Sequence, residues 1–476
     1  MSSTVNKRWR LSHFLVPVLT VLISLLAIWV INADFLSRQA EAGVVILWML
    51  SLLLLQIPVG AAMGIAGAFG ILAVAGPSAL VGLLKDIPYT ATASTSMAVL
   101  PMFILMGLVL WRSGITADLY RVAKLWLGWL PGGLAVTSNI AGAGLGAASG
   151  STMGITYALG RIGIPEMLRS GYSKHLAVGS VMSSGTIAQL IPPSLLLVLY
   201  AGFTETPVGN QLMAGLIPGV LLTLMYCAII VGLAIIKPSL APRIPSSGVS
   251  LRDKLRKTIT IWPVVLIVVA VVGGMAVGIF TATEAGAIGA VLAVLVSLVR
   301  SGPSKGLGVT LQGAKDTLAS VGSLLFVLIG ATVLNRYLSL SGAAQSFSAV
   351  IRDADLSPLA FILVVIVFYL VLGMFMDPIP MMLLTVPLLL PTAELLGWST
   401  LWYGVFVVLM GEVAILTPPV GVLCFVAHRI SQDKEVNLGN RISLTDVFKA
   451  ALIFIPGALA VVGLLIAFPG LVSVLL

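Results

Sequence analysis

The sequence predicts an all-α membrane protein that crosses the bilayer many times, on three observations. Of its 476 residues, 59% are hydrophobic and only 9% are charged, and the mean hydropathy is +1.12. A soluble domain contains about 25% charged residues. Apolar runs of roughly 18 residues or more recur along the chain, and each can span a bilayer as a helix. Because backbone groups in lipid must pair internally, a bundle of helices is expected.

Basic residues predict the orientation of the chain. Lys7, Arg8 and Arg10 precede the first apolar run. A second basic cluster follows residue 236 and comprises Lys237, Arg243, Arg252, Lys254, Arg256 and Lys257. Short loops rich in Lys and Arg mark the cytoplasmic side. We therefore place the N-terminus and this loop in the cytoplasm, and we expect no nucleic-acid partner despite the net charge of +9.

The apolar segments follow in order along the chain. We predict that residues 11–31 form a membrane helix that is kept in the mature protein. The apolar run is longer than that of a signal peptide, and no clear cleavage site follows it. A polar turn comes next, and the first half then has apolar segments near 43–74, 94–111, 125–148, 174–202 and 208–236. The second half has segments near 261–280, 284–300, 308–340, 358–376, 379–397, 399–430 and 444–472.

The chain contains an internal duplication. The segment SGTIAQLIPPSLLLVLYA at 184–201 aligns without a gap on MGEVAILTPPVGVLCFVA at 410–427, with the double prolines in register. Shared apolar composition alone does not align two double prolines. We therefore predict four parts: an extra N-terminal helix and periplasmic turn (1–42), a first repeat (43–236), a basic linker rich in proline and serine (237–260) and a second repeat (261–476).

Each repeat is interrupted twice in corresponding places. A proline removes a backbone donor and clashes with the preceding helical turn, so each double proline predicts a broken helix. Upstream lie the second interruptions, GAASGST at 146–152 and GMFMDPIP at 373–380. Paired interruptions in two repeats indicate a transporter binding site near the bilayer midplane. Isolated glycines elsewhere are better explained by close helix packing.

The predicted breaks supply two kinds of ligand. Free carbonyl groups at one helix end, together with the hydroxyls of Ser149, Ser151, Thr186 and Thr417, form an oxygen-only environment that suits Na⁺. Free N–H groups at the start of the next helix suit the anionic group of a substrate. Ion and anion can therefore bind side by side in a chain with few charged side chains.

Four ionisable residues within apolar segments are candidates for function. Asp377 either assists cation coordination or caps the half-helix that begins at Pro378. Glu284 either has a role in function or is a carboxylate that caps the start of a helix. Glu412 lies close to the second double proline. Arg336 could hold a substrate carboxylate bidentately or extend to the membrane interface.

Several other classes of site are not predicted. No GxxxxGK[ST] motif is present, so the chain itself is not expected to hydrolyse ATP. The three histidines lack metal-ligand spacing, and two cysteines make no disulfide framework. We therefore expect no transition metal, no organic cofactor and no catalytic residues.

An ordered series of motifs resembles a known family. The series is GAASGSTMGITYALGRIGIPEMLRSGY, SSGTIAQLIPPSLLLVLYAG, LMAGLIPG, GIFTATEAGAIGAVLAV, LGMFMDPIPMMLLTVPLLLP and LTPPVGVLCFVA. Together these segments resemble the large membrane subunit of tripartite ATP-independent periplasmic (TRAP) transporters over roughly residues 45–470.

The resemblance implies more than the residues alone. It implies an elevator-type, Na⁺-driven importer with two inverted repeats, re-entrant hairpins and broken helices in the bacterial inner membrane. The cargo is expected to be a small organic anion, a carboxylate or sugar acid, delivered by a periplasmic substrate-binding protein. Because the first 45 residues are too few for a four-helix small subunit, that subunit is expected to be a separate chain.

The predicted functional residues form two sets. The residues expected at the Na⁺ site are Ser149, Gly150, Ser151, Thr186, Asp377, Thr417 and Pro418. The residues expected at the broken helices and the substrate site are Gly185, Pro192, Pro193, Ser194, Gly411, Glu412, Pro419, Arg336 and Glu284. The continuation STMGITYA differs from the more alanine-rich form in many members of the family, so a typical dicarboxylate specificity does not transfer directly.

Two alternatives remain open from the sequence. The first is a stand-alone, ion-coupled anion carrier of a related inverted-repeat superfamily. The second is an intramembrane enzyme with Asp377, Glu284 or Glu412 as acid and base, although no second aspartate lies near Asp377 in the sequence.

Overall fold

The computed structural model describes residues 2–31, 37–94, 96–243 and 250–476, with the side chains of all of these except residues 2–16, 39 and 147–149. Regular structure in this part of the chain is helical. The predicted helix at 11–31 is confirmed as part of a longer helix. The predicted linker at 237–260 lies partly outside the described residues, at 244–249, as does the first half of the predicted turn, at 32–36.

The first half of the chain forms ten helices in the described residues. They are α1 (Ser2–Ile31), α2 (Arg38–Leu54), α3 (Val59–Thr92), α4 (Val99–Arg112), α5 (Ile115–Leu127), α6 (Gly133–Ser149), α7 (Thr152–Arg169), α8 (Lys174–Ile187), α9 (Leu195–Phe203) and α10 (Val208–Ile236).

The second half contributes twelve further helices over the described residues. They are α11 (Leu251–Thr258), α12 (Trp262–Val268), α13 (Gly274–Ala276), α14 (Ala282–Ser301), α15 (Pro303–Leu340), α16 (Ala343–Asp353), α17 (Pro358–Leu372), α18 (Pro378–Leu395), α19 (Thr400–Ala414), α20 (Val422–Ser431), α21 (Lys434–Asn437) and α22 (Leu444–Ala467).

Local sequence explains where many helices begin. A serine precedes α2, α8, α19 and α22, and its hydroxyl accepts a hydrogen bond from a backbone N–H in the first helical turn. This contact pairs one of the N–H groups that a helix start leaves without an intrahelical acceptor. In α22 the exchange is reciprocal, because Asp446 at the third position accepts from the backbone of Ser443.

Among the described residues, seven helices are long and apolar enough to cross a membrane. They are α3, α10, the continuous stretch Leu251–Ala276, α14, α15, α18 and α22. An eighth span results if α4 and α5, which meet at 69°, are taken as one. The predicted all-α, multi-pass membrane architecture is confirmed.

The chain divides into two compact units, each assembled from distant segments. Unit 1 comprises Met1–Ser94, Gly322–Phe361 and Leu383–Gly397. In its core α3 packs closely against α15, because glycines remove side-chain bulk from the contact. A Cβ on Gly67 would lie 2.6 Å from the backbone of Leu334, and the buried ring of Tyr337 lies against Gly70.

Unit 2 comprises Thr95–Val321, Ile362–Met382 and Trp398–Leu476. Its interior includes α8, whose residues from Leu176 to Ile187 are all buried, and α19, buried from Trp402 to Ala414. Helices α6, α7 and α22 pack around α8. All four predicted helix breaks lie within this unit, so the candidate site is described in unit 2 alone.

Candidate functional site

The structure confirms a break at each of the four predicted places. In the first half, α6 ends at Ser149 before α7, and α8 ends at Ile187 before α9. In the second half, α17 ends at Leu372 before α18, and α19 ends at Ala414 before α20. Both double prolines lie within these interruptions, and each pair is joined by a cis peptide bond.

Helix starts follow the register of the predicted duplication. Pro192 and Pro418 are 226 residues apart, and the same offset separates the first residue of α7, Thr152, from that of α18, Pro378. It also separates the starts of α8 and α19. The repeat therefore sets the positions of the helix breaks, whereas the inverted orientation of the two repeats stays a prediction.

The two breaks of the first repeat contact each other. Gly150 has a left-handed backbone with φ +55°, which glycine adopts readily and other residues avoid. A Cβ added there would lie 2.7 Å from the carbonyl oxygen of Pro193 and 3.2 Å from the backbone nitrogen of Leu195. Glycine at position 150 thus lets the turn between α6 and α7 pack directly against the prolyl break.

The second repeat brings its own two breaks together in a similar way. Gly373, at the end of α17, lies so close to Ala414 that an added Cβ would overlap it. Gly411 lies against the start of α18, where an added Cβ would be 3.1 Å from the Cβ of Pro378. Small residues on α17 and α19 therefore allow the close approach.

A hydrogen bond between buried side chains joins the repeats. The hydroxyl of Thr152, at the start of α7, donates to the carboxyl oxygens of Glu412 in α19, at 3.0 and 2.9 Å. Thr152 is 4% exposed and Glu412 1%. Carboxylates with a basic partner include Asp118, Glu166, Asp316, Asp433 and Asp446. Glu412 therefore has a hydroxyl partner and no basic one in this part of the chain.

Side-chain oxygens cap three of the four helices that start at the breaks. Ser151 accepts from the N–H of Gly154, Ser194 from that of Leu197, and Asp377 from that of Ile379. The capping interpretation of Asp377 is thus confirmed for its Oδ1 atom, while a role in cation binding stays a prediction. The side chain of Ser149, placed at the Na⁺ site by prediction, lies outside the described residues.

Helix α20 begins differently from the other three. It follows Gly421, and no side chain caps its first turn. A Cβ on Gly421, whose φ is +47°, would lie 3.0 Å from the carbonyl oxygen of Ile415 and 3.1 Å from that of Thr417. Glycine here leaves room beside two converging carbonyl oxygens, of which that of Ile415 accepts a hydrogen bond from the N–H of Leu423 at 3.2 Å.

The remaining residues of the prolyl breaks have local partners. Thr186 donates to the carbonyl of Ser183 at 2.9 Å and lies 3.3 Å from the hydroxyl of Tyr226. Gly185 packs against Thr152 and Thr156. Thr417 donates to the carbonyl of Val413 at 2.9 Å. These contacts hold the hydroxyls at the ends of α8 and α19.

Two predicted residues lie outside the segments that form the breaks. Glu284 is exposed and forms a capping box with Thr281 at the start of α14, which supports the helix-start interpretation. Arg336 is an exposed residue of α15 in unit 1, whereas the breaks lie in unit 2. No functional role of either residue is supported by its local contacts.

Sequence reasoning missed three polar residues of the site. Thr152 is the last residue of the GAASGST segment, so its place in a predicted helix break could have identified it as a site residue. Gln189 lies inside the prolyl break and accepts from the N–H of Leu196 at 3.4 Å, a polar residue in an apolar stretch. Tyr226 is fully buried in α10, and nothing in the local sequence connects it with Thr186.

Two solved transporter structures resemble this fold. The YdaH transporter of Alcanivorax borkumensis aligns with a TM-score of 0.55, covering 90% of this chain and 98% of that one at 14% identity. MtrF of Neisseria gonorrhoeae, described within a class of antimetabolite efflux pumps, aligns with a TM-score of 0.56 at 12% identity. At such low identity, the likeness concerns the fold alone.

Sequence comparison is more specific. The C4-dicarboxylate TRAP transporter large permease protein DctM of Pseudomonas aeruginosa is 33% identical over 375 residues, covering 78% of this chain and 85% of the relative. An ectoine/5-hydroxyectoine TRAP transporter large permease protein, UehC of Ruegeria pomeroyi, is 29% identical over 81% of this chain and 89% of its own length. Both relatives are transporter permeases, not enzymes.

Residues 46–471 match the family model described as the DctM component of the tripartite ATP-independent periplasmic transporter. This match covers nearly the whole of the all-helical, multi-pass membrane chain and includes all four helix breaks. The protein belongs to the large permease component of the TRAP transporter family.

Proposed function

We propose that this chain imports a small organic anion, a carboxylate or sugar acid, by Na⁺ symport across a bacterial inner membrane. The observation that supports this most directly is the gathering of four helix breaks in unit 2, where the two halves are joined by Thr152 and Glu412. Irregular backbone at membrane depth is tolerated only when it is buried in protein or lines a cavity. We place the N-terminus in the cytoplasm.

In this proposal, the ends of α6, α8, α17 and α19 supply carbonyl oxygens to Na⁺. The converging carbonyls of Ile415 and Thr417 are the pair that we favour, because Gly421 leaves room beside them; that of Ile415 also accepts a hydrogen bond from the N–H of Leu423. Asp377, half-buried beside the second upstream break, adds negative charge near the ion. Oxygen atoms are the ligands that hard cations prefer.

The substrate anion is placed at the start of α20. Its first turn has no side-chain cap, in contrast to α7, α9 and α18. The N–H groups of Leu423 and Cys424 pair with the carbonyls of Ile415 and Gly421, so the anion is attracted here by the positive end of the helix dipole. The adjoining Pro419 is exposed, which gives a solute access to this end of the break.

The transport system is proposed to have three parts. A periplasmic substrate-binding protein delivers the anion, and a separate four-helix membrane subunit accompanies this chain. The tripartite, periplasmic description of the matching family supports this arrangement. We further propose that the two repeats are inverted and that the part containing the breaks moves by an elevator mechanism.

Uptake by the reconstituted system tests the proposal. The chain and its small subunit would be placed in proteoliposomes, with candidate periplasmic binding proteins from the same genome added outside and radiolabelled C4-dicarboxylates and sugar acids offered in turn. We expect uptake of at least one solute that requires both an inward Na⁺ gradient and the binding protein. Uptake without a Na⁺ gradient would contradict symport, and uptake without the binding protein would favour a stand-alone carrier.

A further inference from the structure

Helix α11 has an apolar strip that the rest of unit 2 leaves uncovered. Leu251 and Leu255 are four residues apart, as are Leu255 and Ile259 in the turn that follows, so the three side chains lie along one side of the helix. They are 65%, 53% and 68% exposed. Apolar surface of this size in contact with water is unfavourable, so the strip is expected to face an apolar medium.

The position of α11 in the chain places this strip at the surface of the membrane. The helix is the first part of the continuous stretch Leu251–Ala276, which is long and apolar enough to cross a bilayer. The indole of Trp126 in α5 donates to the hydroxyl of Thr258 at 2.8 Å, and the exposed Trp262 follows four residues later. Tryptophan is enriched where membrane meets water. These residues therefore mark the level of the lipid headgroups.

Four basic side chains of α11 have no carboxylate partner among the described residues. They are Arg252, Lys254, Arg256 and Lys257. Lys254 is half-buried, with its ammonium 5.8 Å from the centre of the Trp126 ring. The neighbouring cations differ, because Arg121 of α5 and Arg300 of α14 both pair with Asp118. The surface of α11 thus carries positive charge that the described protein does not neutralise.

Arg252 and Arg256 are the two cations best placed to share one ligand. They are four residues apart, so they lie side by side on the helix, next to Leu251 and Leu255. Like charges at this spacing repel each other, and an anion between them relieves the repulsion. The planar guanidinium group binds phosphate through two parallel hydrogen bonds. Asp253, the one carboxylate of α11, accepts from the hydroxyl of Ser250 at the helix start.

We propose that Arg252 and Arg256 bind the phosphate of an anionic phospholipid, with its acyl chains against the strip of Leu251, Leu255 and Ile259. Amphipathic helices with basic residues lie on membranes in this way, and basic residues near the surface attract anionic lipids. The amine of a zwitterionic lipid cancels the charge of its phosphate. The site therefore prefers phosphatidylglycerol to phosphatidylcholine. This inference depends neither on the transported solute nor on the coupling ion.

Lipid binding can be measured directly on the full chain. The chain would be purified in detergent, freed of lipid and titrated with phosphatidylglycerol or with phosphatidylcholine of the same acyl chains, and native mass spectrometry would give the dissociation constant of the first lipid bound. We expect wild type to bind phosphatidylglycerol more tightly. Because each basic residue adds to the attraction, the double variant Arg252→Gln with Arg256→Gln should bind it about thirtyfold more weakly.

Two further double variants separate this site from a general effect of charge. Arg429→Gln with Arg441→Gln removes the same charge from two exposed arginines elsewhere in unit 2 and should bind as wild type. Arg252→Lys with Arg256→Lys keeps the charge that sets membrane orientation but loses the bidentate contacts. Its affinity should lie between those of wild type and the α11 glutamine pair.

Several outcomes overturn the proposal. They are equal affinity of wild type for the two lipids, wild-type affinity in either α11 pair, and an equal loss in the control pair. Thermal unfolding is a second readout, because a ligand that binds the folded state stabilises it. Phosphatidylglycerol should raise the midpoint of wild type more than phosphatidylcholine does, and an equal rise contradicts the proposal even if the glutamine pair fails to fold.

Two other occupants of α11 are tested in the same titration. Glycerol 3-phosphate has the phosphate but no acyl chains, so an excess of it should not displace the lipid. Displacement would identify a site for soluble phosphate compounds and overturn the proposal. The complex with the proposed small subunit should bind phosphatidylglycerol as the chain alone does. Loss of binding in the complex would mean that a protein covers α11, which also overturns it.

Discussion

In the first repeat the prolyl break is enclosed by protein, with Pro192, Pro193 and Ser194 all buried. In the second repeat the matching residues are open, since Pro418 is half-buried and Pro419 is exposed. The two breaks have the same sequence pattern and lie at the ends of matching helices. Their surroundings differ because each repeat packs against different neighbours.

The polar residues at matching positions of the two repeats differ in their chemical groups. At the offset of 226 residues, Ser151 corresponds to Asp377 and Thr186 to Glu412. The first repeat has a hydroxyl at both positions, whereas the second has a carboxyl group. The first repeat thus supplies neutral oxygens at a buried prolyl break, and the second supplies carboxyl groups and a more exposed prolyl break. We therefore expect substitutions in the first repeat to reduce the stability of the protein, and those in the second to alter the Na⁺ dependence of uptake.

The largest expected effect concerns Gly150, where the first repeat is most tightly packed. Gly150→Ala adds a strained left-handed alanine and a clash with Pro193, so we expect a loss of about 3 kcal/mol or more in stability. Gly114→Ala is the matched control, because Gly114 has φ +81° and no atom near an added Cβ. It should cost only about 1 kcal/mol. Thermal unfolding in detergent measures both, and equal losses would refute a packing role for Gly150.

The contact between the repeats is tested at Thr152. Thr152→Val removes the donor to Glu412 and should destabilise the protein by about 2 kcal/mol, because a buried acceptor loses its partner. Thr156→Val, one turn later on α7, is the matched control. The buried hydroxyl of Thr156 has no hydrogen-bond partner among the described residues. Its replacement should therefore be neutral, and a loss as large as that of Thr152→Val would argue against the importance of the hydrogen bond.

The charge of the second repeat is tested at Asp377. Asp377→Asn keeps an oxygen that can cap α18 but removes the negative charge, so we expect the Na⁺ concentration for half-maximal uptake to rise about tenfold, equivalent to about 1.4 kcal/mol. Ser151→Ala, at the matching position of the first repeat, should instead cost about 1 kcal/mol of stability through loss of a cap. If both variants shift the Na⁺ dependence equally, the proposed division between the repeats is wrong.

The smallest effect is expected for Asp433, a half-buried carboxylate with a basic partner. The backbone N–H of Glu435 and the guanidinium of Arg161 lower the pKa of Asp433. A pKa that is lowered in the folded state stabilises the protein at pH values above the ordinary aspartate pKa of about 3.9. This stabilisation is lost as the pH falls below that value. The thermal midpoint of wild type should therefore fall slightly more than that of Asp433→Asn between about pH 5 and pH 3. Identical pH profiles would show that this ion pair adds no stability.

The helix breaks could be predicted from the sequence because their causes are local. Proline lacks a backbone donor wherever it occurs, and a glycine such as Gly150 can adopt a left-handed turn without help from distant residues. The duplication was equally visible, since it needs only the alignment of the chain with itself. The sequence leaves open whether Asp377 caps α18 or assists cation coordination; only the position of the N–H of Ile379 shows the cap, and the role in cation coordination stays a prediction.

The amino-acid sequence by itself determined the membrane class, the two repeats and the four breaks, because hydropathy and proline chemistry act over a few residues. Tertiary structure alone decided that the compact units take segments from both halves, that Glu412 meets Thr152 across 260 residues of chain, and that one prolyl break is closed while its copy is open. These features depend on which helix faces pack together. Packing is set by the whole set of neighbours, and no local pattern encodes it.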